Sequence, residues 1–225
     1  MTPLGWGLLA VAAVAAVIDW WAVWAETPRA RLVERVAKPA TLLALIGVAV
    51  VSTPANPAVQ PWLLIGLVGG LAGDILLLPP GRLVPGLVAF LVGHLAYVVA
   101  FLGLTGTGAW LLLGVAIAAI VAGTVGLRLV RAAGELGLRL PVGIYLFVIS
   151  LMAVVATRTG IPAAILGAWL FVASDSMLGW GEFVVGKSED GRSRGGPGLR
   201  LGVITTYHAA QVLLVLALLL GAPAG

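Results

Sequence analysis

Eight long apolar runs, parted by short breaks rich in charge, Pro or Gly, dominate this sequence and leave it few ways to fold. A run of about twenty apolar residues spans the roughly 30 Å hydrocarbon core of a bilayer as an α-helix rising 1.5 Å per residue. The runs fall roughly at 4–25, 36–53, 58–79, 83–104, 108–129, 139–157, 160–183 and 199–221. The breaks are turn-like, as in Ser52–Pro57, Pro79-Pro80-Gly81 and Thr105-Gly106-Thr107-Gly108. The polar, Gly-rich connection from Gly186 to Gly198 is the longest and is expected to be mobile. The expected fold is all-α, a polytopic membrane helix bundle of eight transmembrane helices in a single transmembrane domain over residues 1–225.

Composition points the same way. Hydrophobic residues make up 61% of the chain and charged ones 10%, with a mean hydropathy of +1.13. Soluble domains are nearer half apolar and a quarter charged, and could not hide this much apolar surface. There is no cysteine, which excludes disulfides and thiolate metal sites. The first run, Leu4 to Ala25, follows Met1–Pro3 without any Lys or Arg, so it is expected to be a retained helix rather than a signal peptide. Trp20, Trp21 and Trp24 near its end suit an interfacial aromatic belt.

The basic residues set the orientation. Arg29, Arg31, Arg35, Lys38, Arg82, Arg128, Arg131, Arg139, Lys187, Arg192, Arg194 and Arg200 follow the odd-numbered runs, whereas Arg158 alone follows an even-numbered one. By the positive-inside rule both termini are expected outside the cytoplasm of a bacterial-type plasma membrane. The same bias accounts for the net charge of +4 without a nucleic-acid partner.

Charged groups within a span cost about 2.5–3.5 kcal/mol each on insertion scales, so each one needs a reason. Asp19, Asp74 and Asp175 are such groups, with His94 and Gln211 as polar company, Lys38 at the expected mouth of helix 2, and three tyrosines, Tyr97, Tyr145 and Tyr207. Asp74 lies about 8 Å, and Asp175 about 10 Å, from the expected cytoplasmic end at 1.5 Å per residue. The scattered polar groups are therefore expected to gather in the cytoplasmic leaflet. Spacing agrees. Phe90, His94, Tyr97 and Phe101 share one helix face, as do Gly167, Phe171 and Asp175, and Tyr207 and Gln211. Gly66, Gly69, Gly70 and Gly73 admit a close neighbour beside Asp74, with packing as their expected role. Asp19 is expected to face the interface beside the tryptophans. His208 is expected to be structural, and Ser174 to bond back to its own helix.

Two carboxylates in an apolar pocket suit hydrolysis, one delivering a proton and the other directing water. No metal and no cofactor are expected, since zinc hydrolases generally use three protein ligands and this chain has two His and no Cys.

Five stretches in order, Lys38-Pro39, Gly73–Leu78, Ala89–Tyr97, Gly167–Asp175 and Tyr207–Gln211, resemble the YhhN-like lysoplasmalogenases. The resemblance covers helices 2, 3, 4, 7 and 8. It implies an eight-helix enzyme that hydrolyses the vinyl-ether bond of lysoplasmalogens to a fatty aldehyde and glycerophospho-ethanolamine or glycerophospho-choline. Asp74 and Asp175 match the family's acidic positions, and Lys38, His94, Tyr97, Tyr207 and Gln211 its other polar ones; Tyr145 is added on depth. The implied partners are a lysophospholipid substrate and membrane lipids, with no oligomeric state assigned. Either aspartate can be the acid in this reading, and Lys38 is expected to hold the phosphate with help from the positive N-terminus of helix 2. A transporter, or a lipid-binding structural protein, is the rival reading of the same buried charges.

Overall fold

The computed structural model describes residues 1–79, 81–106, 108–186 and 195–221. Pro80, Thr107, Lys187, Arg192, Arg194 and most of the long connection after Gly186 lie outside the described residues, so the expectations placed on them are not addressed. Eight helices follow one another: α1 (Pro3–Ala25), α2 (Pro28–Val51), α3 (Pro57–Leu77), α4 (Leu83–Leu102), α5 (Leu111–Glu135), α6 (Arg139–Arg158), α7 (Pro162–Val185) and α8 (Gly196–Leu220). α1 packs along α2, α3 along α4 and α7 along α8; α4 then meets α6, and α8 closes against α1, α2 and α3. The fold is an all-helical membrane bundle. Large apolar side chains such as Leu112, Phe147 and Val36 point outward, as lipid permits.

Among the described residues, seven helices are long and apolar enough to cross a membrane. The exception is α2, which begins at Pro28 and not near residue 36. Thr27 accepts a hydrogen bond from Ala30 N at 3.1 Å and Pro28 fills the first helical position, so a capped start precedes the charged turns. Arg29, Arg31, Glu34, Arg35 and Lys38 therefore sit on the helix itself. This corrects the placement of Lys38. It lies ten residues inside α2, too far from the N-terminus for the helix dipole to help it hold an anion.

Two helices contain π-helical turns, Ala122–Gly126 in α5 and Trp180–Val185 at the end of α7. Such turns widen a helix locally and recur at functional sites. At the opposite end from the expected site, Arg158 Nη2 donates to Phe101 O, in the last turn of α4, and to Leu104 O just beyond it, both at 3.1 Å.

The glycines of α3 are packing devices with a second use. A Cβ on Gly69 would stand 2.8 Å from the backbone of Gly93, and one on Gly66 or Gly73 would strike the ring of Tyr97 or Phe90 at 2.5 Å. α4 can thus lie directly on α3. Gly70 faces another way: its Cβ would meet Gln211 Nε2 at 2.8 Å and the Tyr207 hydroxyl at 3.3 Å.

Candidate active site

Asp74, on the penultimate turn of α3, is sealed from solvent at 1% exposure and is held from two helices. Lys38 Nζ of α2 approaches Asp74 Oδ1 to 3.0 Å, and the Tyr207 hydroxyl of α8 donates to Asp74 Oδ2 at 2.9 Å. The Lys38 contact joins opposite charges at hydrogen-bonding distance. The ammonium also lies 5.7 Å from the centre of the Tyr207 ring. Behind Tyr207 the network continues. Gln211 Nε2 is 3.5 Å from the Tyr207 hydroxyl, and the Tyr97 hydroxyl of α4 donates to Gln211 Oε1 at 2.7 Å. Tyr97, Tyr207 and Gln211 are all buried, so each side chain is fixed by a partner rather than by water.

Asp175, on α7, has a different environment. The Tyr145 hydroxyl of α6 donates to Asp175 Oδ2. Among the described residues no cation pairs with Asp175, and its side chain is half-buried where that of Asp74 is closed off. Tyr145 and Asp175 line a small pocket of about 30 Å³ with Leu146, Leu178, Glu182 and Phe183. That is enough for a water molecule. Glu182 is a pocket residue that does not stand out in the sequence as an in-span acid. Its signal was its spacing, seven residues beyond Asp175 on the same helix face.

His94 stands between the two arms. Its ring centre is 5.5 Å from Tyr145, 4.6 Å from Phe171 and 6.5 Å from Phe90. Phe171 in turn meets Tyr207 edge-on at 5.4 Å. Both His94 nitrogens are buried without a hydrogen-bond partner, so it does not tie two helices together. The eight residues expected to form the site therefore gather in two polar arms, Lys38–Asp74–Tyr207–Gln211–Tyr97 and Tyr145–Asp175, bridged by the aromatic box around His94. No group of three or more His, Asp or Glu side chains that could hold a metal occurs among the described residues.

Residues 33–218 match the YhhN family. The chain belongs to the YhhN family. Human "Lysoplasmalogenase TMEM86B" is 35% identical over 153 residues, covering 68% of this chain and 61% of that protein. Its mouse counterpart of the same name is 36% identical over 159 residues, covering 70% and 64%. A Mycobacterium tuberculosis protein named "Lysoplasmalogenase" is 31% identical over 191 residues, covering 81% of this chain and 69% of its own. The chain thus spans a little over three fifths of the length of the mammalian relatives. No solved structure matches it. All eight site residues fall inside the family segment.

Asp19 lies before that segment and departs from its expected place. It does not face the interface: it is 0% exposed, directed into the bundle, with both carboxylate oxygens lacking hydrogen bonds. His208 Nε2 is 3.9 Å from Asp19 Oδ2, and Trp20 Nε1 donates to His208 Nδ1 at 3.1 Å. Trp20 can only donate, so it fixes His208 as the neutral tautomer with its proton on Nε2, towards Asp19. Ser174 also differs from expectation. Its hydroxyl donates to Val203 O of α8 at 2.9 Å, a bond between helices and not within one.

Proposed function

We propose that this chain is a membrane hydrolase of the lysoplasmalogenase type, cleaving the vinyl-ether bond of alkenyl lysophospholipids. The observation that carries the reading is the pairing of each aspartate with its own tyrosine, one acid sealed beside Lys38 and the other open to a water-sized pocket. The names of the family relatives supply the substrate class.

The unequal surroundings divide the labour. Asp74, matched by Lys38, serves as the fixed anion of the site and anchors Tyr207. Among the described residues no cation is in contact with Asp175, and it borders the pocket, so it carries the transferable proton. It gives that proton to the β-carbon of the alkenyl chain, leaving an oxocarbenium at the α-carbon. Water in the pocket adds to that carbon and returns a proton to Asp175. The hemiacetal then collapses, the new hydroxyl losing its proton as the glycerol oxygen gains one, and the products are aldehyde and free glycerol hydroxyl. Tyr145 orients the carboxyl throughout. His94 lies near enough to meet a polar atom of the substrate once one enters. Lys38 retains 19% side-chain exposure, which leaves it able to touch the lipid phosphate without leaving Asp74.

All eight helices are taken as spans in this reading, α2 crossing with its full 24 residues and its charged first turns at the cytoplasmic interface. Both termini then lie outside the cytoplasm and the site faces the cytoplasmic leaflet. A vinyl ether lies just below the phosphate, so a site about 10 Å into the bilayer is at the right depth.

Isotopes test the reaction class. Turnover in ²H₂O is expected to place one deuterium on the carbon next to the aldehyde, and turnover in H₂¹⁸O to label the aldehyde oxygen. Label in the glycerol oxygen instead would show cleavage on the other side of that oxygen and overturn the scheme.

A further inference from the structure

An apolar groove of about 520 Å³ opens on the lipid-facing side between α5 and α6. Small residues line part of it, Ala118, Ala122 and Gly126 on α5 and Gly143 on α6, beside Leu146 and Val154. Ala122 and Gly126 belong to the π-helical turn of α5, and a Cβ on Gly143 would meet nothing within 4 Å. The groove adjoins the site. Leu146 lines both the groove and the pocket of Tyr145 and Asp175, and Val172 and Ser176 bring α7 into the groove on either side of Asp175. A second apolar groove, of about 420 Å³, runs over α3 and α4 past Val68 and Val92, and none of the eight site residues lines it.

Dimensions identify the occupant. From Gly143 to Val154 the α6 wall runs about 16 Å at 1.5 Å per residue. That equals about half of a roughly 30 Å hydrocarbon core, the depth to which one leaflet's lipid chain reaches. The volume also lies within the roughly 300–1,000 Å³ of pockets that bury a ligand. We propose that this groove is the chain subsite of the site, taking the single aliphatic chain of a lysolipid and presenting its head-end linkage to Tyr145 and Asp175. The inference rests on the hydrolase reading for the chemistry at Asp175 but not for the groove itself. A chain lying here enters sideways from the membrane, and the aldehyde product leaves by the same route.

Two measurements test it. The first needs no turnover: a lysophosphatidylcholine carrying a diazirine in mid-chain is photo-crosslinked to the wild-type protein in detergent and the adducts are mapped. Adducts on Ala118–Ala122 and Gly143–Val154, competed away by unlabelled lysolipid, are expected. Adducts spread evenly over the lipid-facing helices, or centred on Val68 and Val92, would overturn the proposal. The second follows kcat/KM over a series of alkenyl chain lengths. Ala119→Phe narrows the groove at mid-length, so long-chain substrate should lose about tenfold or more while short-chain substrate is nearly unaffected. Val68→Phe, in the unconnected groove, should leave the chain-length profile unchanged. An Ala119→Phe enzyme with an unaltered profile would contradict the proposal, whereas a wild type that releases no aldehyde would overturn only the hydrolase reading.

Discussion

Lys38 Nζ stands 3.0 Å from Asp74 Oδ1, joining the middle of α2 to the end of α3 across a site where Asp74 is closed to solvent. Removing one partner of such a pair leaves a buried charge uncompensated, at a cost of about 3–5 kcal/mol. Lys38→Met is therefore expected to lower stability by about that much, read as a fall in Tm by scanning fluorimetry in detergent. Lys38→Met combined with Asp74→Asn should recover most of the loss. If the double variant is as unstable as the sum of the singles, the pair is not coupled in this way.

Asp175 and Tyr145 behave differently, because Asp175 is half-buried and has no ion pair among the described residues. Asp175→Asn is expected to fold with a Tm near that of wild type while losing about a hundredfold or more of kcat, the usual range for removing a general acid. Tyr145→Phe removes one hydrogen bond to the neutral carboxyl, worth about 0.5–1.5 kcal/mol, and should cost about twofold to tenfold in rate. Both are checked by aldehyde release against Tm.

Neighbouring glycines of α3 should separate packing from chemistry. Gly69→Ala places a methyl 2.8 Å from the Gly93 backbone, which cannot turn aside, and is expected to destabilise by about 1–3 kcal/mol. Gly70→Ala presses instead on the ends of Gln211 and Tyr207, which can shift. It should keep more of the stability and lose more of the activity.

Asp19 is buried without a hydrogen bond, so its carboxylate is a cost the fold bears. Asp19→Asn, close to isosteric, is expected to raise Tm by a few degrees, at about 2–4 °C per kcal/mol for a chain of this size. A fall in Tm would show that Asp19 makes a stabilising contact with His208.

The candidate site residues are legible in the sequence because charge and hydroxyls are rare inside apolar runs, and Phe90, His94 and Tyr97 recur at helical spacing. Their partners are not, since periodicity gives a face and a depth but does not tell Tyr145 from Tyr207 as the partner of Asp175. The start of α2 was read from hydropathy, which followed the charges to about residue 36, although Thr27-Pro28 carried the cap signal. Trp20, Trp21 and Trp24 suggest an interfacial place for Asp19, but the helix face decides it. Ala12, Ala16, Asp19 and Val23, spaced four, three and four apart, share the buried face, while Trp21 and Trp24 point outward at 58% and 61% exposure. The π-helical turns of α5 and α7 have no signature in the apolar pattern. The groove and pocket they border could be seen only in three dimensions.

The most direct measurement is aldehyde release from a defined alkenyl lysophospholipid by the purified protein, with Asp175→Asn and Asp74→Asn alongside. Steady aldehyde production by the wild type and its loss in well-folded Asp175→Asn is the predicted result. No aldehyde from folded wild-type protein, or full activity in both aspartate variants, would contradict the account.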